Sequence, residues 1–248
     1  MGFDRAAAEY ERGRPEYPQA AIALLARELE LGPGRLVVDL AAGTGKLTRA
    51  LRGLGAEVVA IEPVAGMRAQ LTRAVPGVEI LEGTAERMPL ADATADAVLV
   101  AQAFHWFDVP VAAAEIHRVL VPGGGLSMIR NEWDESVPWV AELRSLTAEH
   151  AGQPPHRHPN NSGAALDATG LFSATQERVF ANPVRVDSET LQDRMSSLSY
   201  VALLNAEPRQ ALRDAVARFV SERGLVGADG MLETPYRTHV VWCRRLEV

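Results

Sequence analysis

Leu36-Val37-Val38-Asp39-Leu40-Ala41-Ala42-Gly43-Thr44-Gly45-Lys46-Leu47-Thr48 holds the strongest structural signal in the chain. Residues 36–40 form a short apolar run carrying an acid near its end, with Gly32, Pro33 and Gly34 before it and Gly43 and Gly45 after it. A run of that length between such residues reads as a parallel strand buried on both faces. The chain must then reverse tightly and let a ligand approach its backbone, which the small residues Ala41, Ala42, Gly43 and Gly45 permit. A helix is expected from Lys46.

Asp39 helps to choose the ligand. A P-loop needs Ser or Thr after its lysine, and Lys46 is followed by Leu47. A dinucleotide fingerprint needs three glycines; Gly43, Gly45 and Thr48 supply two, and Asp39 would set a carboxylate close to a pyrophosphate. A ligand bearing an ammonium and a sulfonium reverses that sign, because Coulomb attraction in a partly dry cleft favours the cation beside the acid. S-adenosylmethionine is such a ligand. The bland alternative is a strand, turn and helix that bind nothing.

With these residues in view, the segment resembles the first motif of the class I S-adenosylmethionine-dependent methyltransferases, an acid followed by x-Gly-x-Gly-x-Gly, with Ala41 in the first glycine position. The resemblance implies an α/β fold: a doubly wound, seven-stranded, mostly parallel sheet of strand order 3-2-1-4-5-7-6 with a C-terminal helical cap insertion. It also implies S-adenosylmethionine as cofactor, held by Asp39, Ala41, Gly43, Thr44 and Gly45.

Later segments extend this reading. Glu57–Ile61 reads as the second strand and ends in Glu62-Pro63. An acid there can accept both ribose hydroxyls of an adenosine, in nicotinamide cofactors as well. Met67, on the next helix, joins Glu62 and Pro63 as a cofactor candidate. After a strand over 78–81, Thr84-Ala85-Glu86-Arg87-Met88-Pro89-Leu90 resembles the family's adenine-edge segment, with Thr84 where an Asp is usual. Thr84, Ala85 and Glu86 are the expected contacts, without the charge-assisted bond an Asp would give. A strand over 96–101 leads into Gln102-Ala103-Phe104-His105-Trp106-Phe107, which lies where ligands bind in an open parallel sheet. His-Trp-Phe at this place is similar to the trans-aconitate methyltransferase-like group. Gln102 and Ala103 are assigned to the cofactor, His105 to catalysis or to orienting the acceptor, and Trp106, Asn131 and Trp133 to the acceptor.

Upstream, residues 3–13 read as a charged helix, and Pro18 opens a packing helix. The lead-in with Tyr10, Arg14 and Tyr17 resembles a segment that folds over the cofactor in the same group. Downstream, a helix over 108–120 capped by Asp108 and a Pro-Gly-Gly-Gly turn lead into strand five. Then come a helix over 137–149, a Pro-rich loop over 152–163, a strand over 175–180, helices over 188–204 and 208–223, and a strand over 238–244. His156 and His158 in the loop are too few for a metal site, and no metal is expected. The layout is a single methyltransferase domain over 1–248: cofactor-covering helices over 1–34, a cofactor-binding core over 35–133, a cap and substrate region over 134–230, and the final strand over 231–248.

Composition narrows the substrate. With 25 basic and 32 acidic residues the formal charge of the 248-residue chain is -7, so no gross basic field attracts nucleic acid. The one cysteine, Cys243, cannot form an intrachain disulfide, which suits a reducing compartment. No uncharged apolar run approaches the ~18 residues of a membrane span, and the N-terminus lacks the apolar region of a secretion signal, so a cytoplasmic location is expected. The reading is methyl transfer to a small organic acceptor, most simply at oxygen. A non-catalytic S-adenosylmethionine-binding protein and a nicotinamide-dependent oxidoreductase are the alternatives.

Overall fold

The computed structural model describes residues 15–151, 162–196, 198, 201 and 204–247. The elements of its first half are α1 (Gln19–Glu28), β1 (Leu36–Leu40), α2 (Lys46–Arg52), β2 (Glu57–Ile61), α3 (Ala65–Ala74), β3 (Glu79–Leu81), β4 (Ala95–Ala101), a 3-10 turn (Phe104–Trp106), α4 (Val109–Val119) and β5 (Leu120–Trp133). The second half has α5 (Pro138–Ala151), α6 (Ser162–Asp167), β6 (Gln176–Ala181), β7 (Val184–Val186), α7 (Ser188–Ser196), α8 (Ala206–Glu222), β8 (Leu232–Thr234) and β9 (Tyr236–Arg244).

Seven strands form one sheet in the order β3-β2-β1-β4-β5-β9-β6. With β9 as the seventh strand of that sheet, this is the expected 3-2-1-4-5-7-6. β1 pairs in parallel with β2 and β4, β2 with β3, and β4 with β5. The carboxyl ends of all five therefore lie along one edge of the sheet.

Strand alternation sends successive side chains to opposite faces. On one face Val38, Leu40, Val98 and Val100 pack with Ala112, Ala113, Ile116 and Val119 of α4. On the other, Val37, Val58 and Leu99 pack with Leu24 and Leu25 of α1 and Leu47 and Leu51 of α2. Each fully buried Leu or Ile of these layers contributes about 1.5–3 kcal/mol. Covering both faces is what a continuous apolar strand requires.

The chain divides into two compact units, and the sheet core just described occupies residues 17–131, 162–180 and 238–247 of the described residues. The other unit takes in the described residues among 15–16, 132–151 and 181–237 and is mostly helical. Leu143 of α5, Leu191 and Met195 of α7, and Leu212, Val216 and Val220 of α8 make its core, together with Val186 and Leu232. The last two belong to β7 and β8, an antiparallel two-stranded sheet with Val184 opposite Thr234 and Val186 opposite Leu232.

Some boundaries differ from expectation. The Pro-Gly-Gly-Gly turn is absorbed into β5: Ala95 pairs with Leu120 and Ala97 with Gly125, so residues 121–124 bulge out of the ladder. α7 ends at Ser196 within the expected 188–204 span. α6 begins at Ser162, inside the expected 152–163 loop, and β9 begins at Tyr236, two residues early. The helix expected over 3–13, and His156 and His158, lie outside the described residues.

Candidate functional site

At the tip of β1, Asp39 is wholly buried. Its Oδ2 accepts a 2.6 Å hydrogen bond from the Thr48 hydroxyl at the start of α2. Oδ1 is buried too and has no hydrogen-bond partner among the described residues. Burial pushes this carboxyl up to about 7; the Thr48 hydrogen bonds pull it down, and the negative charge of Glu62 adds to the rise.

The turn after Asp39 is left-handed at three positions: Ala41 (φ 56°), Gly43 (φ 58°) and Gly45 (φ 89°). Gly45 is constrained twice, since a Cβ there would come within 3.0 Å of Leu71 Cγ and 3.1 Å of Val75 Cγ2. Ala41 lacks glycine's freedom and sits in a region that costs a non-glycine residue about 1–2 kcal/mol. Backbone bonds pin the turn to β2: Ala42 N–H donates to the Ile61 carbonyl at 3.1 Å.

Glu62, at the tip of β2, is 5 % exposed. Its Oε2 accepts from Gly43 N–H and its Oε1 from Val64 N–H, both at 2.9 Å. The carboxylate thus joins the β1 turn to the start of α3, and each oxygen keeps a second lone pair. Arg68 Nη1 donates to the Glu62 and Pro63 carbonyls while its Nη2 reaches the Glu82 carboxylate after β3. Thr44 is buried, Met67 half-buried and Pro63 exposed.

After β3, Thr84 and Arg87 exchange two backbone hydrogen bonds at 3.2 Å, closing a tight turn around Ala85 and Glu86. Ala85 is buried in the core, and Glu86 Oε1 accepts from Asp108 N–H at 3.1 Å.

The tip of β4 carries a second strained residue, Gln102 (φ 59°). Its N–H donates to the Ile129 carbonyl and its Nε2 to the Asn131 carbonyl, tying β4 to β5. Ala103 leads into the 3-10 turn, where the His105 ring lies 4.9 Å from that of Trp106. Trp106 is 69 % exposed and Phe104 is buried. Asn131 Oδ1 accepts from the Thr238 hydroxyl at 2.5 Å.

Asp39 to Gly45, Glu62, Thr84 to Glu86, Gln102 to Trp106 and Asn131 therefore share the carboxyl edge of the parallel strands. Trp133, the last residue of β5, falls in the helical unit, its ring tilted at 4.5 Å from Tyr236 and edge-on to Trp139. Tyr17 is half-buried against the core face that holds α1. Tyr10 and Arg14 lie outside the described residues. Sequence reasoning did not find Thr48 as the partner of Asp39, nor Glu115 and Arg118, whose side chains bind the segment after β3; an opposite-charge pair three residues apart on a helix was the available signal.

Comparison with known proteins agrees with this geometry. The methyltransferase-domain family matches residues 38–128, which span the edge from β1 to β5. An uncharacterized methyltransferase of Mycobacterium tuberculosis is 36 % identical over 238 residues, 96 % of this chain and 93 % of that protein. An uncharacterized methyltransferase of Schizosaccharomyces pombe is 32 % identical over 206 residues, 83 % of this chain and 81 % of its own. Among solved structures, geranyl diphosphate methyltransferase in complex with S-adenosylmethionine superposes with a TM-score of 0.52 at 17 % identity, over 92 % of this chain and 85 % of that one, a likeness of fold. The parallel sheet, its acidic strand tips and methyltransferase relatives matched over most of their length make the chain a member of the class I S-adenosylmethionine-dependent methyltransferase family, with S-adenosylmethionine as its cofactor.

Proposed function

We propose that this methyltransferase acts on a small organic acceptor at oxygen, a carboxylate or a hydroxyl, as in the trans-aconitate methyltransferase-like group. The carrying observation is the pair at the β4 tip, the His105 imidazole 4.9 Å from the ring of a largely exposed tryptophan. Such a pair offers an apolar wall beside one group able to accept or donate a proton. The acidic net charge supports a small acceptor over nucleic acid.

The residues present fit the cofactor. Asp39 Oδ1, buried and without a partner among the described residues, suits an ammonium. The free lone pairs of Glu62 suit two ribose hydroxyls, and Pro63 and Met67, which follow it in the chain, are assigned to the cofactor with it. The left-handed turn through Ala41, Gly43, Thr44 and Gly45 leaves open space beyond Gly43. Thr84, Ala85 and Glu86 take the adenine edge through backbone groups and the Thr84 hydroxyl; Gln102 and Ala103 line the way to the reacting centre. Tyr10, Arg14 and Tyr17 belong to the segment assigned to cover the cofactor.

When bound, S-adenosylmethionine supplies a methyl carbon already activated by its sulfonium. The protein's work is to align the acceptor oxygen and exclude water. With a carboxylate acceptor His105 orients an oxygen that is already ionised; with a hydroxyl acceptor it removes the proton. Trp106 and Asn131 contact the acceptor in this reading, and Trp133 is assigned to it as well. Transfer of radiolabelled methyl to a panel of carboxylic acids, phenols and alcohols, with RNA and protein as controls, tests it. Label in a small ester or ether is expected; label only in RNA or protein would overturn the proposal.

A further inference from the structure

The segment assigned above to the adenine edge is clasped by α4 through two side chains that the methyl-transfer chemistry does not use. Glu115 Oε1 accepts from Met88 N–H at 2.7 Å. Arg118 pairs with Glu115 in a two-point fork, Nε to Oε2 at 2.8 Å and Nη2 to Oε1 at 2.7 Å. The same guanidinium donates from Nη1 to the Leu90 carbonyl at 2.9 Å and the Asp92 carboxylate at 2.6 Å, and from Nη2 to the Met88 carbonyl at 3.3 Å. Ala93 N–H donates to the Arg118 carbonyl, so backbone and side chain of one residue hold the segment's far end. At its near end Glu86 takes the Asp108 N–H at the start of the same helix. Between these anchors Ala85 and Met88 are buried in the core that α4 covers. The Arg118 guanidinium holds the Glu115 carboxyl below the usual carboxylate range.

A surface ion pair contributes little, but this one is bidentate and its remaining donors go to two main-chain carbonyls and the Asp92 carboxylate of the same segment, so it fixes the path of a backbone. Only a planar guanidinium meets the carboxylate and both carbonyls at once; a lysine ammonium does not. The turn it steadies has Thr84 where a carboxylate is usual, so base reading there leans on backbone groups whose placement matters more.

We propose that Arg118 and Glu115 are positioning residues for the Thr84–Leu90 segment and thereby set how well the enzyme distinguishes adenine from other purines in its cofactor. This rests on the reading that Thr84 to Glu86 hold the adenine edge.

The test is the ratio of dissociation constants for S-adenosylhomocysteine and S-inosylhomocysteine, in which a C6 oxo group and an N1–H replace the purine amino donor and the N1 acceptor, measured calorimetrically on the full chain. The wild type should prefer the adenine compound. In Arg118→Met that preference should shrink about five- to tenfold, the worth of one displaced hydrogen bond. Arg118→Lys should fall between. Glu115→Gln keeps an oxygen for Met88 N–H while loosening Arg118; it should move the ratio the same way and serves if Arg118→Met does not fold. Folded variants with the wild-type ratio would overturn the proposal and leave the cofactor site standing. A wild type without preference would overturn the adenine-edge assignment and this proposal with it.

Discussion

Replacing Asp39 by Asn should stabilise the free protein and weaken its hold on the cofactor. The wholly buried carboxyl titrates at about 7 in the folded chain, against about 3.9 when unfolded. Between those values the native state keeps a proton that the unfolded state has released, so this group's contribution to stability falls as pH rises from about 4 to 7 and is level above. A shift of about 3 units corresponds to ~4 kcal/mol, an upper bound on what the variant regains. Thr48 keeps its acceptor in the variant, but an amide nitrogen left unpaired at the Oδ1 position costs ~1–3 kcal/mol. The net gain near pH 8 is therefore about 1–3 kcal/mol, or ~2–10 °C in Tm for a chain of this size. Cofactor binding should move the other way. A charge-assisted hydrogen bond to the ammonium is worth ~1.5–3 kcal/mol, so S-adenosylhomocysteine should bind about 10- to 150-fold more weakly. Denaturant unfolding of both proteins at pH 5 and pH 8, with calorimetric titration, checks both halves. The stability gap should widen by about 2–3 kcal/mol between the two pH values. A variant less stable at both would show that the buried carboxyl does not cost stability, and one that binds S-adenosylhomocysteine as tightly as the wild type would show that Asp39 does not hold the ammonium.

Three further outcomes are expected. Gly45→Ala forces a Cβ to 3.0 Å from Leu71 Cγ at a left-handed position and should cost about 2–4 kcal/mol in urea unfolding; a loss under ~1 kcal/mol would mean the turn relaxes freely. Ala41→Gly relieves about 1–2 kcal/mol of left-handed strain and adds about 0.4–1 kcal/mol of unfolded-state entropy. It should therefore match the wild type or exceed it by up to about 1.5 kcal/mol in the same measurement, and a clear loss would show that the Ala41 methyl packs. His105→Ala should lower kcat/KM by about 10²–10⁴ for a hydroxyl acceptor, where a base is needed, and much less for a carboxylate, where none is; equal losses with both would show that His105 only orients the acceptor.

The sheet was legible because β1 and β2 are apolar runs with glycine or proline close by, because β4 is a longer apolar run, and because an acid lies near the end of β1 and another follows β2. β7 and β8 were not, since three residues are too few for a period-two pattern, and their pairing joins segments about fifty residues apart. The Pro-Gly-Gly-Gly run reads locally as a turn; only tertiary pairing with Ala95 and Ala97 makes it a bulge inside β5. Asp39 and Glu62 could be picked out as acids at strand tips, but their bonds to Thr48, Gly43 and Val64 depend on where α2 and α3 begin in space. Arg118 and Glu115 look like an ordinary solvated helix pair until the segment after β3 is laid across them. Sequence order places Trp133 at the end of β5 but does not show that its ring packs with Tyr236 and Trp139.

Whether the acidic tips of β1 and β2 hold the cofactor is decided by calorimetric titration of S-adenosylhomocysteine into the wild type and Glu62→Gln. One site is expected in the wild type and binding at least about tenfold weaker in the variant, since an amide cannot accept at both positions that Glu62 serves. Equal affinity in a folded variant would contradict that role for Glu62.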